Sequence, residues 1–146
     1  MKLANFATKT LLTLTIGLFL AHFSHAATLG KFFVKSAPPD DDGFVDSRLE
    51  DSVNDLRTRI SKDKDVELVT EEADADYLLV VISREEESAA RGSRQNSMRL
   101  TVTLSVRDGD GWKPGARIVK VNTVGWILAS SDALNDAKKW IKNQSK

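Results

Sequence analysis

The chain contains no cysteine, and its two histidines, His22 and His25, both lie within the first 26 residues. Those residues read as a secretory signal peptide, so the chain that follows them has neither a thiol nor an imidazole. Each absence removes a class of chemistry. Ser-His-Asp and Cys-His nucleophile systems are excluded, and so are the usual zinc and copper ligand sets. No disulfide can staple the fold, and no lipid can be attached through a cysteine at the cleavage site. An excess of one charge sign is missing as well. After residue 26 there are 19 basic against 21 acidic side chains, which gives no electrostatic case for nucleic acid or for an anionic membrane.

Long hydrophobic runs are also scarce. The longest, Leu11 to Ala21, is interrupted by Thr13, Thr15 and Gly17 and falls short of the ~20 residues needed to span a bilayer. Lys2 and Lys9 precede it, and Ser24 and Ala26 place small residues at −3 and −1 of a cleavage site. This is the pattern of a cleaved signal peptide over 1–26. No arginine pair precedes the apolar core, which favours general secretion over twin-arginine export. The expected product is periplasmic or secreted, meets the membrane only through the signal peptide, and is not a lipoprotein. Residues 27–146 are expected to form one domain, large enough for a hydrophobic core without cross-links.

What is present is an apolar segment at Tyr77 to Ile82, led by Ala73, Asp74, Ala75 and Asp76 and stopped by Ser83 and Arg84. Its length and β-branched content suit a central strand with both faces buried. Before it, Leu29 to Ser36 reads as a first strand, ended by Pro38, Pro39 and Asp40 to Asp42. A helix then starts at Asp46 or Ser47. Ser47 and Glu50 have capping-box spacing, and Leu49, Val53, Leu56 and Ile60 form one apolar stripe. Val66, Leu68 and Val69 suggest a short strand.

After the central strand, Glu85 to Ser97 shows no apolar period and reads as a surface loop long enough to suspect of function. Met98 to Val106 alternates, with Leu100, Val102, Leu104 and Val106 on one face and Thr101, Thr103 and Ser105 on the other. Arg107 to Gly115 is rich in turn-formers and predicts a long hairpin connection. Arg117 to Ile127 reads as the last strand. Ser130, Ser131 and Asp132 offer caps to a closing helix with the stripe Leu134, Ala137, Trp140 and Ile141. The order β-α-β-β-β-β-α predicts a two-layer α+β fold with a mixed sheet of about five strands and two helices, the first and central strands being parallel neighbours.

The Ala-Asp-Ala-Asp-Tyr lead into a hydrophobic strand, after a strand, an amphipathic helix and a short strand, resembles a group of small bacterial envelope domains. They include the amino-terminal domain of the translocation protein TolB, the curli-secretion lipoproteins and the flagellar outer-membrane lipoproteins. The likeness covers Phe32 to about Arg84. It implies a non-catalytic role in binding partners in the cell envelope, and it brings no catalytic residues.

The candidate sites are weighed against plainer accounts. Asp40, Asp41, Asp42 and Asp46 lack the ligand spacing of a calcium loop and read as a solvated segment before a helix, so no metal or cofactor is expected. Glu85 to Glu87 with Asp40 to Asp42 could form the carboxylate pair of a small envelope hydrolase, but no nucleophile–base pair is identifiable. The expectation is therefore no enzyme. Trp112 among hairpin turns, with the basic loop of Arg91 and Arg94, reads as a hot spot for a protein partner or a platform for a sugar if exposed, against the plainer and favoured account of a ring folded over the sheet edge. If both helices share one sheet face, the other face is left for a partner or for self-association, and a structural homo-oligomer is a further reading.

Overall fold

The computed structural model describes residues 28–39, 41, 43, 46–88 and 96–145. The signal-peptide reading of 1–26 and the residues Arg91 and Arg94 therefore lie outside the described residues. Along the chain come β1 (Lys31–Ser36), α1 (Ser47–Lys62), β2 (Glu67–Leu68), a 3-10 turn at Glu72–Asp74, β3 (Tyr77–Glu87), β4 (Ser97–Asp108), β5 (Gly111–Asn122) and α2 (Trp126–Gln144). One five-stranded sheet runs β2-β1-β3-β4-β5. β1 is parallel to both β2 and β3, while β3, β4 and β5 form an antiparallel meander. The expected α+β order and the central place of β3 are both seen.

The apolar stripes decide how the layers meet. Leu49, Val53, Leu56 and Ile60 of α1 are buried, as are Ala129, Ala133, Leu134, Ala137 and Ile141 of α2. They pack on Phe32, Val34, Leu79, Val81, Leu100, Val102, Leu104 and Ile118 of the sheet in one continuous core. The helices thus lie side by side on the same face. The opposite face carries Leu78, Thr101, Thr103, Val119 and Val121 by register. Its inner part is shielded, with Thr101 only 2% exposed, whereas Val119 and Val121 at the β5 edge are 47% and 55% exposed.

Four boundaries differ from the sequence reading, each for a local reason. First, Glu85 to Glu87 belong to β3 rather than to a loop. A bulge between Val81 and Ser83 is followed by pairing of Glu85 with Arg99 and of Glu87 with Ser97, and Arg99 lies 2.8 Å from Glu87. Cross-strand charge pairing of this kind lets an acidic run enter a sheet. Second, the hairpin is tight. Asp108 pairs with Gly111, and Gly109 supplies the left-handed backbone at φ 58° that the turn requires.

Third, Pro114 and Gly115 are not a turn but part of β5, at a second bulge opposite Leu104 and Ser105. Proline is tolerated there because β5 is an edge strand, where a missing N–H breaks no ladder. Fourth, α2 begins at Trp126, so Trp126 opens a helix instead of ending a strand. The Asn122 side chain accepts from the Val124 and Gly125 N–H groups at 3.0 Å and turns the chain before the helix. Ser130 is fully buried inside α2 and caps nothing. At the start of α1 the cap is Asp46, whose carboxylate accepts from the Arg48 N–H at 3.0 Å.

Candidate functional site at the start of the second helix

Two turns of α1 place Asp51, Asp55 and Arg59 at four-residue intervals, which sets them on one side of the helix. That side looks onto the chain entering α2. Between them lies a cleft of about 830 Å³, lined further by Asn54, Arg84, Val124, Gly125, Trp126, Ile127, Leu128 and Ser131. Its lip is apolar and exposed: Val124 at 76%, Ile127 at 56% and Leu128 at 40%. Three such residues grouped at the turn into α2 and on its first turn are unusual for a surface that meets only water.

Arg84 ties the walls together. It sits in the outer half of β3, pairs in register with the buried Leu100, and has a side chain only 14% exposed. Its guanidinium donates to the Arg48 carbonyl at 2.9 Å, lies 3.1 Å from the Asp51 carboxylate and stands 4.5 Å over the Trp126 ring. One planar cation therefore joins β3, α1 and α2. A guanidinium is suited to this because it stacks on an aromatic face while its edge donates hydrogen bonds.

A second polar centre lies at the other end of β3. Glu72 receives a hydrogen bond from the Lys35 ammonium at 2.7 Å and one from the Trp112 indole at 2.9 Å. The Arg107 guanidinium stacks 4.0 Å over Trp112 and donates to the carbonyls of Glu72 and Ala75. The hydrogen bond from Lys35 holds the Glu72 carboxyl below its usual range, against partial burial that raises it, with Trp112 adding to the lowering. Trp112 thus fits the plainer account, a ring folded over the sheet, better than an exposed hot spot. It is half-buried and bonded, and its sequence surroundings of Asp, Gly and Lys gave no hint of this acceptor forty residues away.

Among the described residues no three His, Cys, Asp or Glu side chains are grouped to hold a metal, and no helix is long and apolar enough to cross a membrane. The cleft residues Arg84, Val124, Trp126, Ile127 and Leu128 were not singled out from the sequence. The signal for them was the Val124 to Leu128 run itself, which reads as the end of a strand when the turn at Asn122 is not recognised.

With this geometry in hand, comparison with solved structures is informative about the fold. A hypothetical protein from Chlamydia trachomatis matches with a TM-score of 0.51 at 5% identity, over 76% of this chain and 95% of that one. The fold recurs in bacteria. A minor lipoprotein from Acinetobacter baumannii scores 0.43 at 14% identity, over 79% and 94% of the two chains. A PelC dodecamer from Paraburkholderia phytofirmans scores 0.44 at 12% identity, over 80% and 89%. At these identities the likeness is one of fold alone, and it rests on the chlamydial protein. No family model matches the chain, and no curated protein does.

Proposed function

We propose that the protein is a non-catalytic binding or assembly module of the bacterial cell envelope, and that the cleft between α1 and the start of α2 is where it holds a protein partner. The observation that carries this is the exposed apolar lip of Val124, Ile127 and Leu128 beside the Arg84–Trp126 stack. Interface centres favour such a pattern, an aromatic and an arginine held rigid beside aliphatic side chains and ringed by polar ones. Asp51, Asp55 and Arg59 supply the rim. The envelope setting is supported by the secretory pattern of residues 1–26 and by the resemblance carried on Ala73 to Tyr77.

Capture from an envelope extract tests the reading. The protein is expected to retain a defined partner, and Val124→Ser with Ile127→Ser is expected to lose most of it while the far-UV spectrum stays unchanged. Equal capture by the double variant would remove the cleft from the account. Turnover of a glycoside by the purified protein, lost in Glu85→Gln, would favour the hydrolase instead.

A further inference from the structure

The outer edge of the sheet carries an inference that goes beyond the cleft. Among the described residues β5 has no strand on its outer side, and an unpaired strand edge is a template for another chain unless something blocks it. The two halves of β5 differ in this respect. Lys113, Pro114 and the Gly115 bulge guard the first half. From Arg117 to Asn122 the strand is regular, pairs with β4 residue by residue, and shows Val119 and Val121 half exposed on the face away from the helices. The lysine in this half is already occupied. Lys120 points to the helix side, where its ammonium lies 2.6 Å from the Asp136 carboxylate of α2.

We propose that this half of β5 pairs with the same segment of a second copy of the chain, antiparallel, across a two-fold axis at Lys120. Residues opposite each other in an antiparallel pair share a face, so the register can be chosen by what meets what. Centred on Lys120, Val119 faces Val121 of the copy and Val121 faces Val119, while Arg117 comes opposite the exposed Thr123 just past the end of the strand. Centring on Val119 would set Arg117 against Val121, and centring on Ile118 would set it against Val119. Centring on Arg117 would oppose two guanidinium groups with no counter-charge among the described residues. The Lys120 register matches both valines with valines, and each facing lysine carries its own Asp136. The pairing also stops before the Pro114 bulge, which would interrupt it. Two sheets would become one of ten strands, with both pairs of helices on the same side.

Sedimentation of the purified protein over a range of concentrations tests this. A monomer–dimer equilibrium is expected, shifted to monomer by Val119→Lys with Val121→Lys and unchanged by Ile127→Ser in the cleft. A monomer at every concentration, or a dimer that survives the double lysine variant, would overturn the proposal. Because the chain lacks cysteine, a second measurement does not depend on those variants folding. Lys120→Cys places a thiol opposite its own copy, within the Cα separation that a disulfide spans. On mild oxidation it should cross-link much faster than Lys139→Cys on the exposed side of α2. Equal rates for the two would also overturn the two-fold pairing. Loss of partner capture with dimerisation intact would bear on the cleft alone.

Discussion

Glu72 shows what one side chain can organise when its neighbours converge on it. Lys35 of β1 and Trp112 of β5 reach it from strands on either side of β3 and β4, so it bridges the sheet across its non-helical face. Its loss should register at the tryptophan more than in stability, since partly exposed ion pairs contribute about 1 kcal/mol or less. Glu72→Ala is expected to leave the indole without its acceptor and to shift Trp112 emission to longer wavelength, measured with Trp126 and Trp140 replaced by phenylalanine. Gly115 gives a sharper prediction. A Cβ there would lie 2.9 Å from the Leu104 carbonyl oxygen and 3.1 Å from the Trp140 ring. The backbone oxygen cannot swing aside as a flexible side chain would. Gly115→Ala should therefore destabilise the fold by about 1–3 kcal/mol, read from the denaturation midpoint.

At the scale of elements, α1 was legible because a single stripe at helical spacing dictates both its existence and its buried face. Leu56 is fully buried at the centre of that stripe, and Leu56→Ala is expected to cost about 2–5 kcal/mol in chemical denaturation. The parallel pairing of β1 and β3 was legible too, since a strand–helix–strand order leaves little choice. What sequence could not supply were strand ends set by pairing rather than by propensity. Glu85 to Glu87 repel one another when read alone, and they pair as a strand where Arg99, Asn96 and Ser97 meet their carboxylates. Pro114 reads as a breaker until β5 is known to be an edge. The start of α2 depends on one asparagine side chain folding back on two backbone N–H groups. The cleft went unread for the same reason, because its lip is made by that turn.

For the molecule as a whole, ion pairs tie the layers together and set how stability varies with pH. A hydrogen bond from Lys120 holds Asp136 below the usual carboxylate range, one from Lys138 does the same for Asp65, and Glu72 is lowered by Lys35. A carboxyl with a depressed folded value stabilises the fold above its unfolded value, and that contribution is lost as pH falls through the folded one. Stability should therefore decline below pH ~4. Lys138 behaves in the opposite sense. Partial burial pushes its ammonium down, but Asp63 and Asp65 outweigh this and raise it. Its contribution is kept below the unfolded value and fades only as pH rises beyond ~10.5. Thermal midpoints measured against pH should show a plateau between these limits, and Lys138→Met should lower the plateau and remove its alkaline shoulder.

The bulge after Val81 has a consequence for how this site tolerates change in chain length. Up to Val81 the odd-numbered residues of β3 face the helices, and beyond the extra residue it is Arg84 that does so. Ile82 therefore acts as a phase shifter. Deleting it would remove the bulge and leave Val81, Ser83 and Arg84 in strict alternation, with Ser83 still on the far face and Arg84 still turned towards Asp51 and Trp126. Replacing Ile82 by threonine should be mild, and removing it should straighten β3 while leaving the cleft assembled, because the register on either side of it is already continuous. A near-ultraviolet spectrum that lost its Trp126 contribution after the deletion would argue against that phase relation.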